Sequence, residues 1–230
     1  MFYYTNSNRR TSSMYKHFFK RIFDFTAAAI AFILTLPILI ITAIAIKLDS
    51  NGPIIFKQPR LGKNGKVFNM YKFRSMVVNA EAGGVYSDNN DPRITKVGNF
   101  LRKTSIDELP QFINIIKGDM SFVGFRPPLT YHPWPFDEYT EDQKKMFSVR
   151  PGISGWAQVN GRKTVEWHKR IELNVWYAEH VSFALDFKIA LMTIFKVLKN
   201  SDNENVGATL PEDTPEKKVS VPDVKEREEA

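Results

Sequence analysis

The chain of 230 residues contains no cysteine, so disulfide bonds, thiolate metal sites and thiol nucleophiles are excluded. Its four histidines, at positions 17, 132, 168 and 180, lack metal-ligand spacing, and a zinc site is not expected. The sequence has no Walker loop, no dinucleotide fingerprint and no Gly-x-Ser-x-Gly elbow. The side chains that remain as candidates for chemistry are carboxylates and basic groups.

The charge of the chain is unevenly distributed. The whole sequence carries a formal charge of +7, but residues 201–230 hold four basic and nine acidic residues, a balance of −5. Residues 1–200 therefore carry 28 basic and 16 acidic groups, or +12. This excess favours phosphate-rich partners or an anionic membrane surface, whereas the acidic end lacks apolar periodicity and is predicted to be a disordered charged tail.

A single long apolar run lies near the N-terminus. The 22 residues 25–46 contain no charge. As a helix they would measure about 33 Å, enough for a hydrocarbon core of about 30 Å. A secretory signal is disfavoured because the run is too long and charged residues precede it. A buried core helix is the other alternative, but soluble cores seldom need such a run, so we expect membrane insertion.

Pro37 lies near the middle of this run, where it removes a backbone donor and favours a kink. Basic residues flank the run on both sides, so the positive-inside rule assigns no orientation. A helix that bends at Pro37 and returns to the same face would satisfy both flanks. A plain tilted span is equally compatible with these residues.

The rest of the chain predicts an α+β domain. Residues 53–76 read as a β-hairpin around Asn64-Gly65, and residues 79–93 as a polar loop. Short helices are expected over 94–101 and 105–117, the second opened by a Ser105–Glu108 capping box and stopped at Gly118. Residues 121–160 show few clear elements. Helices are expected over 165–180 and 183–198, the latter amphipathic and suited either to a core or to a membrane interface.

The adjacent carboxylates of Asp107 and Glu108 are the strongest catalytic candidates. Acidic residues in a first helical turn are common, because the helix dipole favours them. The functional interpretation is that the helix N-terminus lowers the pKa of Asp107 and keeps it ionised as a nucleophile or metal ligand. Several cations could bind phosphate beside this pair, although each by itself is more often a solvated surface charge: Lys72, Arg74, Arg102, Arg126 and Arg162.

A series of short motifs follows the apolar run. They are Lys47-Leu48-Asp49-Ser50 with Gly52-Pro53, Phe56-Lys57-Gln58, Arg60-Leu61-Gly62, Lys72-Phe73-Arg74-Ser75-Met76, Ser105-Ile106-Asp107-Glu108-Leu109-Pro110-Gln111, residues 118–124, Arg126-Pro127 and residues 150–162. In this order, these motifs resemble those of the bacterial sugar transferase family of monotopic phosphoglycosyl transferases. The resemblance extends from about residue 15 to residue 199 and is specific because many motifs follow one another.

The resemblance implies a re-entrant helix bent at Pro37, with both ends on the cytoplasmic face of the inner (plasma) membrane. It implies four parts: an arm over 1–14, the membrane-inserted helix over 15–48, a cytoplasmic catalytic domain over 49–200 and the tail over 201–230. It also implies that the chain transfers a sugar-1-phosphate from a UDP-sugar to polyprenol (undecaprenyl) phosphate. UMP would be released, and membrane glycoconjugate or exopolysaccharide synthesis would begin.

The same resemblance assigns roles to residues. Asp107 would be the nucleophile, forming an aspartyl phospho-sugar, and Asp107 with Glu108 would bind Mg²⁺. Arg126 and Arg162, with Lys72, Arg74 and Arg102, would contact phosphates. The partners implied are the UDP-sugar, polyprenol phosphate and membrane lipid, and no nucleic acid.

Three residues depart from the family pattern. Leu36 precedes Pro37 where serine is common, so either Thr35 satisfies the carbonyls freed by the proline or no side chain does. Phe125 stands where proline is common, and Asn174 where aspartate is common. An alternative hypothesis from another class is a non-catalytic, membrane-tethered basic adaptor that binds nucleic acid or anionic lipid, which the charge of residues 1–200 motivates.

Overall fold

The computed structural model of the protein describes residues 14–84, 91–160 and 167–198. A π-helical turn, Tyr15–Phe19, leads into helix α1, Lys20–Asp49. Two strands follow, β1 Ile55–Leu61 and β2 Val67–Phe73. The remaining α-helices and strands are α2 Lys96–Thr104, α3 Gln111–Lys117, β3 Ser121–Val123, α4 Glu141–Lys144, β4 Gly152–Ser154, α5 Trp156–Val159, α6 Trp167–Glu179 and α7 Phe183–Leu198. The predicted mixture of helix and sheet is confirmed.

The predicted hairpin is also confirmed. Strands β1 and β2 pair antiparallel from Ile55 with Phe73 to Leu61 with Val67. Asn64 and Gly65 both have positive φ, 56° and 74°, in a short 3₁₀ turn, Lys63–Gly65. Asparagine and glycine tolerate this left-handed conformation better than other residues, which explains why the chain reverses there.

A parallel pair, β3 with β4, lies within the segment for which the sequence showed few clear elements. The backbones approach closely here: a Cβ atom on Gly124 would lie 2.2 Å from the Arg150 carbonyl oxygen. Glycine is therefore required for this contact. The pairing joins residues about thirty positions apart, and nearby sequence patterning does not specify such a partner.

Both ends of α1 pack against the same globular body. Near its start, Arg21 donates to the carbonyl oxygens of Ile115 and Ile116, and Ala28 joins an apolar cluster with Met70 and Met120. Towards its end, Leu39, Ala43 and Ile46 pack with Phe73 and Leu101 in a second cluster. Among the described helices, α1 is the one with the length and hydropathy to cross a membrane, and 11% of its most apolar window is buried.

Pro37 lies inside α1 without ending the helix. The proline has no N–H for the carbonyl of Ile33, four residues earlier. Thr35 does not fill that role, because its hydroxyl donates to Ala31 and Phe32, at 2.7 and 3.2 Å. Hydroxyl groups that bond one turn back in this way bend helices slightly.

Helix α7 buries one face and exposes another. Ile189 is fully buried and Asp186 is 6% exposed. The exposed side chains recur every three to four positions and share one apolar face: Phe183, Phe187, Leu191, Ile194 and Phe195. The ring of Phe183 lies 5.8 Å from that of Phe23 in α1, so the exposed apolar surfaces of the two helices are continuous.

The main core cluster lies beneath α6, α7 and the β3–β4 pair. It contains Phe125, Phe147, Tyr177 and Ile189, each less than 2% exposed. A buried polar contact fixes this core to α1. Asp186 accepts hydrogen bonds from Tyr15, Lys20 and Tyr177 at 2.7, 2.5 and 2.6 Å.

Candidate active site

The acidic pair lies in a 3₁₀ turn, Ile106–Glu108, between α2 and α3. The predicted capping box is wrong, because Ser105 has φ of 57° and its side chain makes no capping bond. A single helix over 105–117 is also wrong, since Pro110 would stand inside it without an N–H for the carbonyl of Ile106. Helix α3 instead begins after Pro110, and its predicted stop at Gly118, with φ of 92°, is confirmed.

Asp107 is almost fully buried, with 9% of its surface exposed. Burial raises the pKa of its carboxyl group to about 6, and the negative charge of Glu108 adds to this effect. The positive charges of Lys72 and Arg102 act in the opposite direction. The expectation that a helix N-terminus lowers this pKa is therefore wrong, although a group with a pKa near 6 is still mostly ionised at neutral pH.

Glu108 forms an ion pair with Lys72, whose Nζ lies 2.8 Å from Glu108 Oε1. The side chains are partly exposed, 18% for Lys72 and 26% for Glu108. Lys72 stands on β2 opposite Phe56, so the hairpin delivers this cation to the acidic turn. The two carboxylates thus have different surroundings. The carboxylate of Asp107 is buried and has a raised pKa, whereas the carboxylate of Glu108 is paired with Lys72.

Three of the five predicted phosphate-binding residues are near this turn or connected to it. Lys72 and Arg102 both act on the charge of Asp107. Arg126 is connected to the acidic pair electrostatically through Arg60, because the Arg60 guanidinium interacts with the charges of both Arg126 and Glu108. Whether these cations bind phosphate stays a prediction.

Arg60 is a site residue that sequence reasoning did not select. Burial and the positive charge of Arg126 lower the pKa of its guanidinium to about 9, so it remains a cation at neutral pH. Its Nη1 donates to the Pro127 carbonyl oxygen at 2.9 Å, and its Nε and Nη2 both donate to Gln58 Oε1. Its position on β1 could have identified it. Side chains alternate between the two faces of a strand, so Gln58 and Arg60 lie on the face of the hairpin that carries Lys72.

Arg74 has a structural role in this arrangement. It is 5% exposed, and its guanidinium donates to the carbonyl oxygens of Ser50 and Asn51 and to the Ser50 hydroxyl at 2.7 to 2.9 Å. These bonds fix the turn that follows α1. Arg162 and the predicted tail over 201–230 lie outside the described residues, as does most of the predicted arm over 1–14.

The described residues contain no group of three or more histidine or acidic side chains close enough to hold a metal ion by themselves. Asp107 and Glu108 supply two carboxylates. This set fits Mg²⁺, which proteins often bind through one or two carboxylates while substrate phosphates and water complete the coordination.

Comparison with known proteins gives several close relatives. EpsL of Bacillus subtilis (strain 168), described as an uncharacterized sugar transferase, is 46% identical over 181 residues, or 78% of this chain and 87% of its own length. The UDP-glucose:undecaprenyl-phosphate glucose-1-phosphate transferase of Escherichia coli (strain K12) is 44% identical over 187 residues, covering 79% and 40%. The UDP-N-acetylgalactosamine-undecaprenyl-phosphate N-acetylgalactosaminephosphotransferase of Aeromonas hydrophila is 43% identical over 185 residues, covering 79% and 44%.

This chain therefore spans most of the first relative and less than half of the length of the other two. The profile of the family described as bacterial sugar transferase matches residues 15–200, which include the hairpin, the acidic turn and both final helices. The resemblance predicted from the sequence is thus confirmed: the chain is an enzyme that belongs to the bacterial sugar transferase family.

Proposed function

We propose that this enzyme transfers a sugar-1-phosphate from a UDP-sugar to undecaprenyl phosphate and thereby starts the synthesis of a membrane glycoconjugate. The observation that carries the proposal is the buried carboxylate of Asp107 beside the Lys72–Glu108 ion pair. The names of relatives at 43–44% identity support the substrate classes. Those relatives use different sugars, so the names leave the sugar open.

The reaction has two steps. In the first, an Asp107 carboxylate oxygen bonds to the β-phosphorus of the UDP-sugar while the bond from that phosphorus to the bridging oxygen breaks, and UMP leaves with the electron pair. In the second, an oxygen of undecaprenyl phosphate bonds to the same phosphorus and the aspartyl oxygen leaves. The products are undecaprenyl diphosphate sugar and free Asp107, so one carboxylate serves as nucleophile and then as leaving group.

The surrounding cations overcome the repulsion between a carboxylate and a diphosphate. Lys72 and Arg102 act directly on the charge of Asp107, and Arg60 and Arg126 extend the positive region beyond Glu108. Such preorganised charges stabilise the negative charge that develops on phosphoryl oxygens. Mg²⁺ held by Asp107 and Glu108 together with the diphosphate would supply further charge neutralisation.

The lipid acceptor requires the site to lie at a membrane. Helix α1 leaves most of its apolar residues exposed, while both of its ends contact one globular body. A re-entrant helix with its bend near Pro37 accounts for both observations. Its exposed apolar middle enters the membrane, and both of its ends stay on the side of the membrane where the globular body lies. In this arrangement the exposed apolar face of α7 lies at the interface between membrane and water. We place this body, residues 49–200, on the cytoplasmic face of the inner membrane, where UDP-sugars would be accessible.

The test is UMP release by the purified enzyme in detergent or nanodiscs with Mg²⁺. Without undecaprenyl phosphate, the wild type should release about one UMP per enzyme in a burst, because Asp107 is then trapped as the phospho-sugar. Asp107→Asn should abolish the burst while leaving membrane association unchanged. A matched variant, Asp137→Asn, changes an exposed aspartate and should keep the burst.

A full burst of UMP from Asp107→Asn would refute the assignment of Asp107 as the nucleophile. Absence of UMP release by the wild type with every UDP-sugar, together with salt-sensitive binding of nucleic acid, would support the non-catalytic adaptor instead.

A further inference from the structure

A narrow pocket with a mainly apolar lining and a few polar groups lies beside Arg126, between the segment that follows β3 and the helices α5 and α6. Its polar lining is formed by Arg126, Gln158, Trp167, Arg170 and Asn174. None of the lining residues is acidic. The pocket therefore has a positive side, and a ligand inside it would be uncharged or would direct its negative charge toward an arginine.

Four polar atoms at this pocket are shielded from solvent and have no hydrogen-bond partner in the described parts of the chain. They are Oε1 and Nε2 of Gln158, Nε1 of Trp167 and Oδ1 of Asn174. Asn174 is only 7% exposed. Buried polar groups in native proteins are normally paired, so a set of two donors and two acceptors at one place points to a ligand that supplies the missing partners.

The pocket is connected to the acidic turn through β1. Arg60 donates to the carbonyl oxygen of Pro127, next to Arg126, and interacts electrostatically with both Arg126 and Glu108. Lys72 stands opposite Phe56, four residues before Arg60 on the same face of the hairpin. At about 3.4 Å per residue, the backbones of Phe56 and Arg60 are about 14 Å apart, and the long basic side chains of Lys72 and Arg60 can shorten this distance.

We propose that this pocket binds uncharged polar substituents, hydroxyl or amide groups, of the sugar ring of the donor and so selects which sugar is transferred. The inference rests on the proposed function, because it assigns the sugar of the same UDP-sugar substrate. A phosphate bound between Asp107 and the cations would carry its sugar toward Arg126. Hydroxyl and amide groups both donate and accept, as the four unpaired atoms require.

The alternative occupant is the uracil ring, and the aromatic contacts disfavour it. A flat base gains much of its binding energy by stacking on an aromatic face. The ring of Trp167 is already covered by Arg170 at 5.2 Å and contacted by His132 at 5.4 Å. The other ring in the lining, Tyr139, packs against Trp134 and Phe147 and is 2% exposed.

Two variants test the proposal without removing a hydrogen bond of the described protein. Asn174→Leu and Gln158→Leu replace polar atoms that are unpaired, with similar side-chain volumes, so the fold should be retained. Asn99→Leu, at an exposed position on α2, is the matched control. Steady-state rates are measured with UDP-glucose, UDP-galactose, UDP-N-acetylglucosamine and UDP-N-acetylgalactosamine, using undecaprenyl phosphate as acceptor. Inhibition by UMP is measured in parallel.

We expect each pocket variant to lower kcat/KM for the preferred donor at least tenfold and to change the ratios among the four donors. Inhibition by UMP should change less than twofold, since UMP lacks the sugar that the donor transfers. Unchanged donor ratios, or an equal loss of UMP inhibition, would overturn the assignment to the sugar while leaving the transferase activity established. Failure of the wild type to release UMP from any donor would instead overturn the proposed function, and this inference with it.

Discussion

Replacing Asp107 with asparagine should stabilise the protein while it abolishes activity. Burial raises the pKa of Asp107 from its ordinary value of 3.8 to about 6. The folded protein therefore holds this proton more tightly than the unfolded chain does. Between those two values the free energy of unfolding decreases as the pH rises, because the unfolded chain releases this proton while the folded protein still holds it. Asparagine removes this cost.

The magnitude follows from the shift. One pKa unit corresponds to about 1.4 kcal/mol, so a shift of about two units costs the wild type up to about 3 kcal/mol above pH 7. At pH 4.5 the side chain is protonated in the folded state, and the cost falls to about 1 kcal/mol. For a domain of this size, 1 kcal/mol corresponds to about 2–4 °C in melting temperature.

The assay is thermal unfolding of wild type and Asp107→Asn in the same detergent at pH 8 and pH 4.5. We expect the variant to melt about 6–12 °C higher at pH 8, with a difference about threefold smaller at pH 4.5. Glu108→Gln is the contrasting control: it leaves Lys72 without its carboxylate at 2.8 Å and should not stabilise. A variant that melts lower than wild type at pH 8, or a gain independent of pH, would refute the reasoning.

Three further predictions concern the site and the anchor. The rate of the UMP burst should fall as the pH drops through about 6, because protonated Asp107 is not a nucleophile; a rate that is flat from pH 7.5 to 5 in stopped-flow or quenched assays would contradict this. Asp186→Ala should destabilise the fold by about 3–5 kcal/mol in chemical unfolding, since it leaves Lys20 buried without its partner at 2.5 Å; the exposed Asp142→Ala is its control. A cysteine introduced at Thr5 should resist membrane-impermeant maleimides in intact cells if α1 is re-entrant, and ready labelling there would indicate a full span instead.

The apolar run, the hairpin, α7 and the family could be predicted because each depends on residues close together in sequence. The Asn64-Gly65 turn, for example, has its own conformational preference wherever it occurs. The stop of α3 at Gly118 is of the same kind. The acidic pair could also be selected from its motif.

The surroundings of that pair could not be predicted. The pKa of Asp107 depends on how deeply the turn is buried and on Lys72, which comes from a strand more than thirty residues earlier. Local reasoning gave the wrong sign because it counted only the helix dipole. The contacts of Arg74 are equally non-local, because its guanidinium binds the turn at the end of α1, more than twenty residues earlier in the chain.

Sequence alone determined that an uncharged run of bilayer length precedes a basic domain in which Asp107 and Glu108 are adjacent within one motif. Hydropathy, turn preference and motif order are properties of neighbouring residues, and they survive without any tertiary contact. The tertiary structure decided which cations reach Asp107, that Arg60 joins Glu108 to Arg126, and that Gln158, Trp167 and Asn174 converge on one pocket. Those outcomes depend on distance and burial, which folding sets by bringing remote segments together and excluding water from between them.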